Sequence, residues 1–165
     1  MKYIVMLSAV MLLLSSCNDG SDVEIYNENN TTVKNGIVYD IDEKPINGLY
    51  KIYYPNGNVR MEIESKDGYP QGIGKFYDED GVLTYSAHFE KGVLNGVLLN
   101  YYADGHIHNE LNYLDGALEG EQKTFNEAGE QIIYAVFSHG KAVSGYTTSD
   151  GKRYELTTEE LQGLE

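Results

Sequence analysis

Histidines and carboxylates at strand spacing are the first residues that could do chemistry. His106 and His108 are one residue apart, so a strand would present both imidazoles on one side, and Glu110 continues the series. Such a set could ligate a metal ion. However, His106 directly follows a turn glycine and the pattern does not recur in the other repeats. We therefore interpret these side chains as surface residues and predict no metal site.

Other residues with catalytic potential lack the partners that catalysis requires. Glu62 and Glu64 form a carboxylate pair, but hydrolysis needs a cleft that a flat sheet does not offer. No serine lies in a recognisable nucleophile motif with a histidine partner. Gly72 and Gly74 are not followed by a helix, as a phosphate-binding loop would be. We predict no catalytic residue, no cofactor and no enzymatic activity.

Cys17 is the only cysteine in the chain and ends an apolar N-terminal segment. Lys2 precedes an apolar run from Ile4 to Leu14, which is shorter than the roughly 20 residues needed to cross a bilayer and typical of a signal peptide. The sequence Leu14-Ser15-Ser16-Cys17 resembles the lipobox of bacterial lipoproteins. That resemblance implies removal of residues 1–16 and attachment of diacylglycerol and a further acyl chain to Cys17. The alternative is an ordinary signal peptide with an incidental cysteine.

The predicted location of the protein and its net charge restrict the classes of molecule that it could bind. A lipid on Cys17 would hold the protein on a membrane of the cell envelope, facing the periplasm or the cell surface, and on the outer membrane in a Gram-negative cell. The whole chain has a formal charge of −14, and loss of residues 1–16 would leave 11 basic and 26 acidic residues, a charge of −15. Such a surface repels phosphate backbones, so nucleic-acid binding is disfavoured. A protein or a polysaccharide remains as the partner, and the oligomeric state stays open.

The segment after Cys17 is polar and acidic. Between residues 17 and 32 only Val23, Ile25 and Tyr26 could be buried, and such a composition does not offset the entropy of ordering. We predict a flexible acidic tether over residues 17–32 and a folded domain over residues 33–165.

A 24-residue repeat organises that domain. A unit this short cannot bury a core alone and must stack on its neighbours. Two further glycines recur nine and twenty positions after the first in each unit. Successive units begin at Gly48, Gly72, Gly96 and Gly120, and we assign Gly145 to the start of a truncated fifth unit.

Each unit is predicted to form a two-stranded hairpin. In the first unit, Tyr54-Pro55-Asn56-Gly57 favours a type I turn whose glycine takes the left-handed conformation and adds a bulge. Such a three-residue loop pairs Tyr53 with Val59, so the odd-numbered positions of both strands are expected to share one face. That face is largely apolar in the first three units and weaker in the fourth.

The even-numbered positions mix polar and aromatic residues. Cross-strand aromatic pairs that stiffen a single-layer sheet explain this composition, and a recognition surface is the alternative explanation. Under that alternative, the candidate partner-binding face carries Tyr50, Tyr54, Phe76, Tyr102 and Tyr134.

The pattern G-x-x-x-x-Y-[Y/D]-x-[N/D]-G opens units one to three and resembles the variant MORN repeat of bacterial lipoproteins and secreted proteins. The resemblance covers residues 48–145 and implies an all-β fold, an elongated antiparallel β-meander of repeated hairpins. Unit four departs from the pattern at Asn126 and Ala128, so the regular sheet is expected to bend or end there. At the C-terminus, Asp150-Gly151 predicts a tight hairpin, and Thr157 with Glu160 predicts the capping box of a short helix.

Two functional classes follow from these features. The first is a lipid-anchored, non-catalytic binding or scaffolding module that acts through its sheet. The second takes up the antitoxin label that some bacterial proteins with this repeat carry. It makes the chain an immunity-type inhibitor whose acidic surface blocks a basic toxin.

Overall fold

The structure is a computed structural model that describes residues 24–164. The predicted signal peptide, the predicted lipidation site Cys17 and the first part of the predicted tether lie outside the described residues. Within residues 24–164 the fold is all-β with one short helix, as the sequence predicts.

Thirteen strands of the described chain form one long sheet in which hairpins follow one another in sequence order. All neighbouring pairs are antiparallel except β1, which lies parallel to β4, and β2 and β3 form a separate two-stranded sheet. The strands are β1 (Ile25–Asn27), β2 (Thr31–Lys34), β3 (Ile37–Asp40), β4 (Gly48–Tyr53), β5 (Val59–Lys66), β6 (Tyr69–Pro70), β7 (Gly72–Tyr77), β8 (Leu83–Glu90), β9 (Val93–Tyr101), β10 (Ile107–Leu114), β11 (Ala117–Leu118), β12 (Gly120–Phe125), β13 (Gln131–Ser138), β14 (Lys141–Ser149) and β15 (Lys152–Glu155).

The hairpin turns at one edge of the sheet have the predicted three-residue loops. The Tyr54 amide donates to the Asn58 carbonyl at 2.8 Å, and the Gly57 amide donates to the Tyr54 carbonyl at 2.9 Å. Gly57 has a φ of 89°, which explains why glycine recurs at this position while its neighbours vary. The same pair of bonds closes the turns of the next three units.

The predicted division into faces is wrong, because a second bulge follows each of these turns. Tyr53 pairs with Val59 as expected, but Ile52 then pairs with Met61, so Arg60 is an extra residue that shifts the register by one. A shift of one residue moves every later side chain to the other face. Even-numbered residues of the first strand therefore share a face with odd-numbered residues of the second.

We name the two faces after the pairs they carry. The inner face holds the cross-strand pair Tyr50 and Ile63, both of which are buried, and the outer face holds the pair Lys51 and Glu62. Equivalent positions of the other units follow the same rule.

The turns at the opposite edge link each unit to the one before. These are two-residue turns in which both residues have positive φ, such as Asp67 at 52° and Gly68 at 78°. The turn glycine donates its amide to a carbonyl of the preceding unit, at 2.8–2.9 Å in every case. The four bonds run from Gly68 to Ile46, from Gly92 to Pro70, from Gly116 to Leu94 and from Gly140 to Leu118.

The N-terminal part of the described chain covers the inner face of unit one. Ile46 is fully buried and packs with Tyr26 and Val38 against Tyr50 and Ile63. The tether prediction is therefore wrong for residues 25–27. They form strand β1 because burial of Tyr26 and pairing with β4 offset the ordering entropy. Part of β2 also falls within the predicted tether.

The sheet continues past unit four, with a register shift between Val136 and Phe137, and Gly145 does not open a fifth unit. Ala135 pairs with Gln122 on one side and with Gly145 on the other, so Gly145 occupies the third position of its unit. It also lacks the positive φ of the opening glycines, such as 79° at Gly72. A Cβ on Gly145 would lie 2.7 Å from the Tyr134 carbonyl oxygen and 3.0 Å from Leu156 Cδ1. Close packing, not turn geometry, requires this glycine.

The C-terminal cap is confirmed. Helix α1 (Thr158–Gln162) is capped at its N-terminus by Thr157, whose side chain accepts from the Glu160 amide while the Glu160 side chain accepts from the Thr157 amide. Leu156 lies over Gly145 at the last part of the inner face. With five residues, the helix of the described chain is too short to cross a membrane.

We expect Gly145→Ala to lower the free energy of unfolding by about 2 kcal/mol, since an added methyl group has no room beside the Tyr134 carbonyl. Ser144→Ala is the matched control, because Ser144 is the exposed preceding residue, and it should change stability by less than about 0.5 kcal/mol. Urea unfolding measures both. Equal stability of the two variants would contradict the packing role of Gly145.

Candidate binding faces of the sheet

The five residues of the predicted partner-binding face do not lie together. Tyr50 is 8% exposed and belongs to the core under the N-terminal segment. Phe76 lies on the inner face and stacks on Tyr85 with 4.1 Å between ring centroids. Tyr134 lies on the outer face and stacks on Tyr146 at 5.1 Å. The register shift is the reason, because it separates residues that share parity in the sequence.

Tyr54 and Tyr102 occupy the turn edge and connect neighbouring units. The Tyr54 hydroxyl donates to the Tyr77 carbonyl at 2.8 Å, and the Tyr102 hydroxyl donates to the Phe125 carbonyl at 2.7 Å. In units two and four the same position is Asp78 or Asn126, whose side chain instead accepts amides of its own turn. The two hydroxyls are thus engaged within the fold.

The outer face carries a charged row that crosses the strands. Glu62 accepts the Lys51 ammonium at 3.1 Å, lies 3.7 Å from that of Lys75, and accepts the Tyr77 hydroxyl at 2.9 Å. Lys123 forms a similar group with Glu110 at 3.1 Å and Glu121 at 3.8 Å. Except for Lys123 with Glu121, these pairs join neighbouring strands and neutralise one another, so this row is a structural feature of the sheet.

The environment of Glu62 changes the acidity of two groups. Burial favours the neutral carboxyl, but hydrogen bonds from Tyr77 and Lys51 and the charges of Lys51 and Lys75 outweigh it and lower the pKa of Glu62. Burial and the neighbouring carboxylate raise the pKa of Tyr77 to about 12.

The inner face is open in the middle of the sheet. Its N-terminal part is covered by Ile46 and Val38, and its C-terminal part by Leu156. Between them lies a groove of about 420 Å³. We define the groove by its apolar and aromatic residues, which are Tyr85, Phe89, Leu94, Leu98, Leu111 and Tyr113.

Small residues shape the floor of this surface. Ala87 is 1% exposed, and Gly74 leaves space that Ile63, Phe76 and Phe89 fill. A second concavity of about 410 Å³ adjoins the groove and shares Tyr85 with it. Phe76 and Met61 also line that second concavity, and Asp78 and Arg60 lie at its border. The apolar surface therefore extends from β5 to β10.

The edge with the three-residue turns is acidic. We call residues 54–58, 78–82, 102–106 and 126–130 the acidic edge, because together they hold six carboxylates and no lysine or arginine. The corresponding residues of the opposite edge, 66–71, 90–95, 114–119 and 138–143, hold four carboxylates and three lysines. The charge of the sheet is thus unequal between its two edges.

The histidine pair is used within the structure. His106 Nδ1 lies 3.0 Å from Asp104 Oδ2 in the same turn, and the His108 ring packs on Tyr102 at 4.5 Å. Among residues 24–164, no group of three or more histidine, cysteine or acidic side chains is placed to hold a metal ion.

The sequence pattern assigns most of the groove residues to an apolar face, but it assigns Leu98 of the groove and Phe76 of the second concavity to the opposite, mixed face. The register shift brings both to the inner face. A signal for this arrangement is present in the small residues Gly74 and Ala87, which pair with each other and mark the crowded inner face.

Comparison with known families agrees with the period of the fold. Residues 46–67, 70–91 and 94–115 each match the MORN repeat variant. The matches begin at Ile46, Pro70 and Leu94, which are three of the carbonyl acceptors for the turn glycines of the next unit. No curated protein matches the chain with significance.

We expect Glu62→Gln to lower the free energy of unfolding by roughly 1 kcal/mol near neutral pH, since it removes a partly buried charge that Lys51, Lys75 and Tyr77 contact. A lowered folded-state pKa means that this contribution is present above the ordinary glutamate value of 4.5 and is lost as the pH falls through the folded value.

The difference between wild type and Glu62→Gln should therefore shrink in acid. Urea unfolding at a series of pH values measures it, and Glu64→Gln on the same strand serves as the control. A difference that stays constant down to about pH 3 would contradict the role of the Glu62 charge.

Proposed function

Since the chain carries three consecutive repeats of the MORN repeat variant family, we propose that it is a lipid-anchored, non-catalytic binding module of the cell envelope. The inner face of its sheet holds a partner protein. The observation that carries this proposal is the open groove, because both ends of the same face are covered by the chain itself.

Apolar surface that is left open favours association. Fully burying one large apolar side chain that is otherwise exposed stabilises a complex by about 1.5–3 kcal/mol. The groove offers six partly buried side chains, and each would contribute part of that amount when a partner covers it. Two of them are tyrosines and one is a phenylalanine, residue types that are enriched at protein interfaces. Contiguous apolar patches on single chains commonly mark such interfaces.

A pre-organised surface suits this role. The turn glycines bind each unit to the preceding one, and the hydroxyls of Tyr54 and Tyr102 bind units at the other edge. A partner therefore meets a sheet whose strands are already ordered. Little additional conformational entropy is lost on binding.

The anchor in this proposal is a lipid on Cys17. The support comes from the lipobox-like sequence Leu14-Ser15-Ser16-Cys17 and from the absence of a second cysteine. Cleavage before Cys17 leaves the lipid-bearing cysteine as the first residue. Because only a short segment separates Cys17 from β1, the lipid would hold the folded sheet close to a membrane surface.

The acidic edge favours one alternative function. An immunity-type inhibitor would bind a basic toxin through complementary charge, which accelerates association as well as selecting the partner. The same inner face would then hold the toxin. Identification of the bound protein and of its activity when bound decides between a scaffold and an inhibitor.

We expect Cys17→Ala to abolish incorporation of labelled palmitate and to release the protein from lipid attachment. Fractionation of cells that express the full chain measures the membrane-bound share, and Ser16→Ala is the control that keeps the cysteine. Equal labelling of wild type and Cys17→Ala would show that Cys17 is not the lipidated residue.

Adjacent leucines on opposite faces test the binding face. A photoreactive amino acid at Leu98 lies in the groove, whereas one at Leu99 lies on the outer face, and both parent side chains are partly buried. We expect irradiated cells to yield a protein adduct at position 98 and little or none at position 99. Equal adducts at both positions, or adducts only at position 99, would overturn the assignment of the inner face.

A further inference from the structure

We propose that the segment bound in the groove is amphipathic and basic, with apolar side chains in the groove and lysine or arginine side chains at the acidic edge. This inference rests on the proposed binding function of the inner face. It adds the chemical class of the partner.

The dimensions of the apolar surface fit a short segment. The surface crosses β5, β7, β8, β9 and β10, and neighbouring strands are about 4.8 Å apart, which gives a length of roughly 19 Å. At a rise of 1.5 Å per residue, about 13 residues of helix cover that length. One face of such a helix presents apolar side chains every three or four residues.

The acidic edge lies beside this apolar surface. Asp78 borders the concavity that Phe76 and Tyr85 line, and it is two residues from Phe76 in the chain. Glu79 and Asp80 follow it in the same turn. A partner segment that fills the concavity therefore places its flanking side chains next to these carboxylates.

Several carboxylates of this edge are available for such contacts. Within residues 24–164, salt bridges join Asp104 to His106 but involve none of Glu79, Asp80 and Glu127. Glu130 also forms no salt bridge there, but its carboxylate accepts the Asn126 side-chain amide at 2.9 Å. Arg60 is a cation at the unit-one end of the concavity, so the acidic character is concentrated from unit two onwards.

The charge pattern also disfavours two other possible occupants of the groove. A second copy of this chain would bring a further charge of −14, and an anionic lipid surface would be repelled in the same way. The opposite edge is nearly balanced in charge, with four carboxylates and three lysines. A basic segment is therefore attracted to one edge, and this attraction orients it in the groove.

Designed peptides test the inference on the purified full chain. The first probe is a fluorescent helix-forming peptide of about 14 residues with leucine on one face and lysine on the other. The second replaces every lysine with glutamate, and the third replaces every leucine with serine. We expect fluorescence anisotropy to show that the leucine–lysine peptide binds at least about tenfold more tightly than either of the others.

Matched variants separate the apolar contribution to peptide binding from the contribution of charge. Leu98→Ser should weaken binding of the leucine–lysine peptide by about tenfold, whereas Leu99→Ser on the outer face should have little effect. The double variant Glu79→Gln with Asp80→Asn should weaken binding and reduce its dependence on salt.

The control for charge is Asp67→Asn with Asp115→Asn at the opposite edge. Both aspartates have positive φ, which asparagine also adopts readily, so this control removes two charges without straining the turns. It should leave binding of the leucine–lysine peptide unchanged.

Each contrary result has a distinct meaning. Equal binding of the lysine and glutamate peptides would show that the partner need not be basic. It would not affect the proposed binding face, which the crosslinking at Leu98 tests separately. Equal binding of the leucine and serine peptides, or equal loss in Leu98→Ser and Leu99→Ser, would show charge attraction without occupancy of the groove. Either of these results would overturn the inference.

Discussion

The stacking of the units depends on backbone hydrogen bonds between them, namely the antiparallel strand pairing and one repeated bond from the amide of a turn glycine to a carbonyl of the preceding unit. Gly68, Gly92, Gly116 and Gly140 each make it, at intervals of 24 residues. These glycines have positive φ, a conformation that glycine adopts without steric cost, and their amides point toward the neighbouring unit. Together with the register of the strands, this bond aligns the inner-face positions of the units into continuous rows.

These rows create both the core and the open surface. Where the chain supplies a cover, as Ile46 does for Tyr50 and Ile63, the row becomes a small hydrophobic core. In the middle of the sheet no segment of residues 24–164 lies over Leu98 and Leu111, so the same row becomes a groove. A single-layer sheet has no second layer of its own to bury such residues. Covered and open regions are thus two outcomes of one periodic pattern.

The sequence was sufficient for the features that depend on local geometry. The three-residue turn at Gly57 and the capping box of Thr157 each follow from a few adjacent residues. The division into faces did not follow, because Arg60 becomes an extra residue only when Ile52 pairs with Met61 across the hairpin, and nothing in its own side chain marks it. The strand at Tyr26 was missed for a similar reason, since its burial depends on Val38 and Ile46. For the candidate site, the apolar residues were predictable, but their assembly with Leu98 required the register.

The alternation at the three-residue turns has a consequence for how such a chain can change in length. Tyr54 and Tyr102 reach forward to the next turn, whereas Asp78 and Asn126 hold their own turns closed. The interlocking module is consequently a pair of units. Loss or duplication of a single unit would set two like turns side by side and would interrupt this alternation. Loss or duplication of two units together would keep the alternation, and the inner face would then shorten or lengthen by the same two units.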